Sequence, residues 1–393
     1  MTDPSSSFHI RLLPTRPATS SYSTSAPIMT TPANNQPTTL PGRYFTDQEI
    51  YGRESERIFS REWIYVGRES AIREAGEYFV HIQDEERIII ARDLEGEVRA
   101  FYDLCRHRGT GLCSSDEGKF GKYITCPYHA WSYSLDGELA SAPNMEETEG
   151  FQKADYPLKA AHCGTVMGAI FINLSDDPVD FDTHFAPLEK RFASWGIGDL
   201  RTAHQVEYDV AANWKLIVQN YSECYHCPTV HPALNELSHF RATSNDLEEG
   251  PFLGGPMEIS RPGGGMTTTG ERCAAHLPGL EGPDLQRAYY YVIFPNMLVS
   301  LQPDFVLVHR LTRRGPHRSL ITCEWLYHPD AVSEADFDPG PAVEFWDETN
   351  RQDWLICERS HRGVSSRAYT PGPYSSLETM LAVIDRQYLQ TMS

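Results

Sequence analysis

The apolar positions change rhythm along the chain. In "YFTDQEIYGRESERIFSREWIYVG", Ile50, Ile58, Phe59 and Trp63 fall on one helical stripe, with Thr46 or Asp47 placed to cap it. The period then shortens to two in "EYFVHIQ", "RIIIARD" and "VRAFYD", with turn composition in "LEGEV". That alternation predicts short strands joined by tight turns, continuing to "MGAIFINL" at residues 167–174. A helical stretch around "FAPLEKRFASWGI" opens the second half. Strands are predicted near 204–211, 287–294, 297–301, 304–311 and 318–326, and "PAVEFWDETNRQDWLICERSHRG" predicts a long helix. No internal repeat is visible.

Residues 1–43 carry neither rhythm. "TRPATSSYSTSAPIMTTPANNQPTTLPG" is rich in Ser, Thr and Pro and nearly free of acid. It is expected to be disordered, because it buries too little apolar surface to offset the entropy of ordering. A transit peptide has similar composition, and Met29 is an alternative start.

Composition narrows the function. A chain of 393 residues can bury the cores of two domains. Its net charge of -20 repels phosphate backbones, which argues against a nucleic-acid partner. No apolar run approaches the roughly 20 residues of a membrane span, so a cytoplasmic protein is expected. Nine cysteines is an odd number, and no secretory signal is visible. Metal ligation or free thiols are therefore expected rather than a disulfide framework. No GxGxxG follows a strand and no P-loop occurs, so no NAD, FAD or ATP site of the usual kinds is expected.

Two clusters carry candidate chemistry. "CRHRGTGLCSSDEGKFGKYITCPYHAW" holds Cys105, His107, Cys126 and His129, spaced C-x-H and C-x2-H. A structural zinc site would usually pair Cys with Cys and His with His. Here each half supplies one of each. That suits a binuclear site with two thiolates on one iron and two imidazoles on the other, a Rieske [2Fe–2S] centre. Gly109, Gly111 and Pro127 suit tight loops, and Cys113 is a bystander. Such a centre moves single electrons and needs a partner site.

The second cluster is "ECYHCPTVH". Zinc on Cys224, His226, Cys227 and His231 is the plain alternative. However, "NWKLIVQNYSECYH" is predicted to be helical, which turns His226 and Cys227 about 100° apart. Glu223 and His226 then share a face. Pro228 and Pro232 stop the helix and allow His231 to return towards His226. Two imidazoles and a distant carboxylate make the facial triad of non-haem Fe(II). The C-terminal helix offers Asp347, Glu348, Asp353 and Glu358 for the third position.

Over residues 44–393 the chain resembles the catalytic α subunits of Rieske non-haem iron oxygenases, the ring-hydroxylating dioxygenase family. "CRHRG…CPYHAW" and "NWKLIVQNYSECYHCPTVH" carry the resemblance. It implies an α+β fold: a disordered segment at 1–43, a Rieske β-domain with an N-terminal helix at 44–175, and a helix-grip catalytic domain at 176–393. It implies iron on His226, His231 and Asp353. It implies Glu223 as a carboxylate bridging an iron histidine to a neighbouring subunit's His129, within a homotrimer. Glu223 with Cys-Tyr-His-Cys resembles the branch of choline monooxygenase, carnitine oxygenase and the betaine demethylases, as do "GGPMEI", "MTTTGE" and "QPDFVLVH".

The implied reaction takes electrons from NAD(P)H through a separate flavin/iron–sulfur reductase. One atom of O2 enters a C–H bond and the other leaves as water. An N-methyl quaternary ammonium or betaine-like substrate would lose a methyl group as aldehyde. Its recognition would rest on aromatic faces. Tyr221 and Tyr225 are the first candidates, with Tyr289, Tyr290, Tyr291 and Trp346 behind them. The alternatives are an aromatic acid hydroxylase and, more remotely, a Rieske electron-transfer protein with structural zinc.

Overall fold

The computed structural model describes residues 37–393, so most of the segment expected to be disordered lies outside the described residues. Residues 37–43 are packed rather than loose. Leu40 is buried, and the Thr39 amide donates to the Gly372 carbonyl. An apolar residue with a backbone partner overrides the local composition.

Asp47 caps the helix Gln48–Glu54 by accepting from the Glu49 and Ile50 amides. That stretch lies where the catalytic core meets the inner face of the first sheet, with Ile88, Ile90 and Ala100 in the same cluster. Phe45, Ile58 and Phe59 share a core with Trp214 and Tyr388.

The cluster-bearing half is two small antiparallel sheets. One runs in the order Val98–Tyr102, Glu86–Arg92, Glu77–Gln83, Glu117–Lys119. The other is Tyr123–Thr125, Ser132–Ser134, Leu139–Ser141. Their shared core holds Ile89, Phe101, Trp131 and Tyr133. A third sheet, Ile64–Arg68, Ala169–Asn173, His162–Val166, belongs to the other half by packing. Ile64 and Ile172 enter the catalytic core, and Asn296 clamps both the amide and the carbonyl of Tyr65.

The second half is a six-stranded antiparallel sheet. Its order is Arg201–Val210, Ser319–Tyr327, Val306–Arg313, Met297–Leu301, Arg287–Ile293, Phe252–Glu258. Alternation sorts its residues by face. Tyr289, Tyr291, Val299 and Val308 pack on Phe185, Leu188 and Phe192 of the helix Phe181–Phe192. Val292, Leu298, Leu307 and Trp325 pack instead with Trp214, Ile217, Trp346 and Trp354. These last four lie on the helices Trp214–Tyr221 and Gly340–Val364, which the sheet therefore grips. The elements without a sequence expectation include the edge strand Phe252–Glu258 and a final helix, Thr379–Thr391. The strand holds Gly254 and Gly255, which weaken any periodic signal. Among the described residues, no helix is long and apolar enough to cross a membrane.

A buried ionic knot ties the N-terminal stretch to this core. Glu54 accepts from Trp214 Nε1 at 2.9 Å, from Tyr388 Oη at 2.8 Å and from Lys215 Nζ, with an Arg313 nitrogen at 3.5 Å. Glu54, Lys215 and Arg313 are all buried. Glu54→Ala leaves two cations without their shared anion, which is expected to cost about 3–5 kcal/mol. Thermal unfolding should show a clearly lower Tm, with Glu54→Gln between it and wild type. An unchanged Tm would refute the knot's role.

Candidate active site

The two loops of the first cluster are built alike. The Cys105 amide donates to the Thr110 carbonyl, and the Gly109 amide donates back to Cys105. The Cys126 amide donates to Trp131, and the Ala130 amide donates back to Cys126. Gly109 and Ala130 take matching positive φ values, 74° and 58°. Both thiols are buried and both imidazoles are exposed. The His107 and His129 rings lie 4.7 Å apart. His107 stacks on Trp131, and the exposed Tyr128 covers His129. Tyr133 Oη accepts from the Arg106 amide, which turns its own proton towards Cys105 Sγ at 3.3 Å. A hydrogen bond to a ligand sulfur is one of the levers that set a cluster's potential. Cys113 stays a free thiol.

In the second cluster the expected continuous helix breaks. Trp214–Tyr221 is helical, with Asn213 as its cap, and ends at Ser222. Glu223 then closes a tight turn by accepting from the amides of Tyr225 and His226. Glu223 and His226 therefore meet through this turn and not along a helix face. Glu223 Oε1 lies 2.5 Å from His226 Nδ1. Short helices, Cys227–Val230 and Pro232–Leu237, carry Pro228 and Pro232 in their first turns and turn His231 back beside His226. Cys224 and Cys227 are joined by a disulfide, contrary to the expectation of free thiols. Bonded to each other, they are removed from any four-ligand zinc site with the histidines.

Asp353 closes the set from the long helix. Its Oδ1 lies 2.8 Å from His231 Nε2 and 3.3 Å from His226 Nε2. Among the described residues only His226, His231 and Asp353 bring three such ligand atoms within 4.8 Å of one another. The Cys/His set at the first site is spread wider, as two irons need and one tetrahedral ion does not.

The other three candidate acids of the helix have different partners. Glu358 accepts from the Ala211 amide. Asp347 accepts from Tyr208 Oη at 2.7 Å. Glu348 accepts from Gln352 Nε2 at 2.8 Å. This last contact matters, because it turns Gln352 Oε1 to His231 Nδ1 at 2.7 Å. A carbonyl oxygen only accepts, so Nδ1 carries the proton and Nε2 presents its lone pair. Glu223 acts in the same way on His226. Two lone pairs and a carboxylate thus converge on one point, which a cation between them would relieve. The electrostatics agree. Burial opposes charge on His226, yet Asp353 and Glu223 outweigh it and raise its pKa to about 10. Burial also opposes charge on Asp353, but the His226 and His231 rings beside it hold its pKa below the usual value. The residues fit a mononuclear metal ion. Gln352 was not foreseen, since a single polar residue on a helix gives no periodic signal.

Beside this point lies a cavity of about 120 Å³. Tyr221, Tyr290, His309 and Trp346 line it, together with Asn350 and the strand at Gly254 and Gly255. A Cβ at Gly255 would meet the Ser244 carbonyl at 2.2 Å, so glycine lets the 244–246 loop close over the strand. Tyr290 faces the cavity because it alternates with Tyr289 and Tyr291, whose rings stack under Arg191 on the far side. Tyr225 does not line the cavity. It is 54% exposed, because the break at Ser222 turns it outward.

Comparison with known proteins places this arrangement. The ring-hydroxylating α-subunit catalytic domain matches residues 197–393, and the Rieske [2Fe–2S] domain matches 62–154. The glycine betaine monooxygenase oxygenase subunit of Pseudomonas aeruginosa PAO1 is 32% identical over 365 residues, 86% of this chain and 84% of that protein.

The chain belongs to the ring-hydroxylating oxygenase α-subunit family.

The family's enzymes are Rieske non-haem iron oxygenases, whose cofactors are a [2Fe–2S] cluster and a mononuclear iron. Two further relatives sharpen the comparison. The carnitine monooxygenase oxygenase subunit of Escherichia coli K12 is 36% identical over 200 residues, 50% of this chain and 53% of that protein. A crystal structure of a quaternary ammonium Rieske monooxygenase with L-carnitine superposes with a TM-score of 0.74 at 25% identity. That match covers 91% of this chain and 96% of the other.

Proposed function

We propose that this oxygenase hydroxylates an N-methyl group of a quaternary ammonium compound, which then collapses to an aldehyde and the demethylated amine. One observation carries this reading. The cavity beside His226, His231 and Asp353 is walled by the aromatic faces of Tyr221, Tyr290 and Trp346. A quaternary ammonium has no N–H to donate, so ring faces are its natural partners. Among the described residues lining the cavity there is no Lys or Arg, while Glu223 and Asp353 are there. Such a cavity favours a cation. The relatives that act on glycine betaine and carnitine support the same class.

In this reading Cys105, Cys126, His107 and His129 hold the cluster, and His226, His231 and Asp353 hold the iron. The two groups, when bound, supply single electrons and the activation of O2. The chain's own contribution is positional. Gln352 and Glu223 fix the two iron-facing tautomers, and the aromatic walls hold the ammonium beside the metal and exclude water. Glu223 is the link for electrons arriving from the exposed His129 of a neighbouring subunit in a homotrimer. Exposed Tyr128 beside His129, and exposed Tyr225 beside His226, fit surfaces that such a trimer would bring together. A separate NAD(P)H-dependent flavin/iron–sulfur reductase, in the cytoplasm, supplies the electrons.

The test is formaldehyde release from a panel of choline-, betaine- and benzoate-type compounds with a surrogate reductase. Release with N-methyl ammonium compounds and none with benzoates is expected. Turnover of benzoates alone would overturn the proposal.

A further inference from the structure

The bond between Cys224 and Cys227 has no part in the chemistry above, yet it brackets residues that do. Tyr225 and His226 lie inside its ring, and Glu223 immediately precedes it. Both cysteines line the cavity beside the metal ligands. Cys227 is 2% exposed and packs in the catalytic core. Its carbonyl accepts from the His231 amide at 2.8 Å, and its amide donates to the Cys224 carbonyl at 3.2 Å. Cys224 is half-buried and follows the helix break at Ser222. No other cysteine among the described residues is paired, so thiol–disulfide exchange has one target.

Stapling is a poor use for this bond. A ring over residues 224–227 constrains the unfolded chain little, since the entropy removed grows with loop length. The C-x2-C spacing is the one used for thiol–disulfide exchange. In a reducing cytoplasm the usual disulfide is transient and redox-active. Its place also gives it something to control. Glu223 Oε1 lies 2.5 Å from His226 Nδ1, and that contact depends on the turn the bond spans. Two free thiols cannot stay at bonding distance and separate to about 3.5–4 Å, the spacing of unbonded atoms. The core and the His231 amide fix Cys227, so Cys224 takes the displacement, and Glu223 is its neighbour.

We propose that Cys224 and Cys227 are a redox switch on electron entry to the metal site. As a disulfide they clamp the turn in which Glu223 meets His226. As two thiols they loosen that turn and slow electron passage, while His226, His231 and Asp353 keep the metal. The partner is a small thiol/disulfide couple. A thiolate of the couple attacks the Cys224 sulfur, the bond to Cys227 breaks, and the Cys227 thiolate leaves and takes up a proton. A second small thiol then attacks the small-molecule sulfur of the mixed disulfide and frees Cys224. The protein gains two electrons and two protons, and two small thiols become one small disulfide. The reverse exchange restores the bond. The inference rests on the reading of Glu223 as the electron link.

The test equilibrates the full chain, with both metal sites loaded and without oxygen, against glutathione at set ratios of thiol to disulfide. The couple is then removed. Alkylation of an unfolded sample, with mass mapping, counts free Cys224 and Cys227. In the remainder the cluster is reduced through the reductase, and its reoxidation by substrate and O2 is followed. Reoxidation is expected to be roughly 10-fold slower with the thiols than with the disulfide, to recover after oxidised glutathione, and to leave the metal content unchanged. The double variant Cys224→Ala, Cys227→Ala cannot form the bond and should be slow at every ratio. A pair that does not interconvert, equal rates in the two states, loss of mononuclear iron on reduction, or a rate that still follows the ratio in the double variant would each overturn the proposal. If reduction has no effect while Glu223→Gln slows reoxidation, the switch falls and the electron link stands. If neither slows it, both fall. Slowing on reduction with none in Glu223→Gln overturns the route through Glu223. Should the double variant fail to fold, the wild-type comparison decides.

Discussion

Asp353→Ala yields a folded protein that retains the rhombic EPR signal of its reduced cluster, loses its mononuclear iron, and no longer oxidises substrate. The expectation follows from geometry. Asp353 is the only one of the four candidate acids on its helix that meets both His231 Nε2 and His226 Nε2. Removing it takes away a third of the protein ligands and the one anionic oxygen among them. Removing a mere outer partner of a metal ligand costs roughly 10- to 100-fold, so the loss here should be larger. Asp347→Ala and Glu348→Ala are the controls. Asp347 is bonded to Tyr208 and Arg351, and Glu348 to Gln352, so both variants should keep the iron. Metal analysis alongside the EPR spectrum decides. Iron retained in Asp353→Ala and lost in either control would refute the ligand set.

Glu223→Gln separates electron transfer from metal binding. Glu223 Oε1 holds His226 Nδ1 at 2.5 Å, and its other oxygen takes the Tyr225 and His226 amides. The amide variant can still accept from Nδ1, so the imidazole orientation should survive, although its NH2 no longer takes the Tyr225 and His226 amides. It loses the negative charge and half of its acceptor capacity. In a trimer a neighbour's His129 would compete for what remains. Both metal sites should therefore load. Reoxidation of a pre-reduced cluster on adding substrate and O2 should slow by roughly 10- to 100-fold. Reduction of the cluster by the reductase should be unaffected. Loss of mononuclear iron would make Glu223 a structural support of the metal site only, and unaltered reoxidation would make it a bystander. Either result overturns its assigned role.

What the sequence by itself determined is whatever repeats locally. Matched C-x-H and C-x2-H spacings predicted two like loops, and the backbone builds them alike. Period-two alternation marked strands from Glu77–Gln83 to Ser319–Tyr327, because a pleat exposes its two faces in turn. The long C-terminal helix was equally legible. The local reading failed where a side chain competes with its own backbone. Glu223 takes two amides and ends the helix at Ser222, which turns Tyr225 outward despite its helical spacing.

Only the tertiary structure decided the rest. Asp347, Glu348, Asp353 and Glu358 look alike along the helix, and only packing against the 226–231 segment brings one of them to the histidines. Three consecutive tyrosines look alike on a strand until two cores claim opposite faces and leave Tyr290 at the cavity. The tautomer of His231 depends on Gln352, 121 residues away. Such contacts join residues distant in sequence, and no periodicity records them. Their selection is physical: in a closed core a donor without an acceptor costs more than a contact gains.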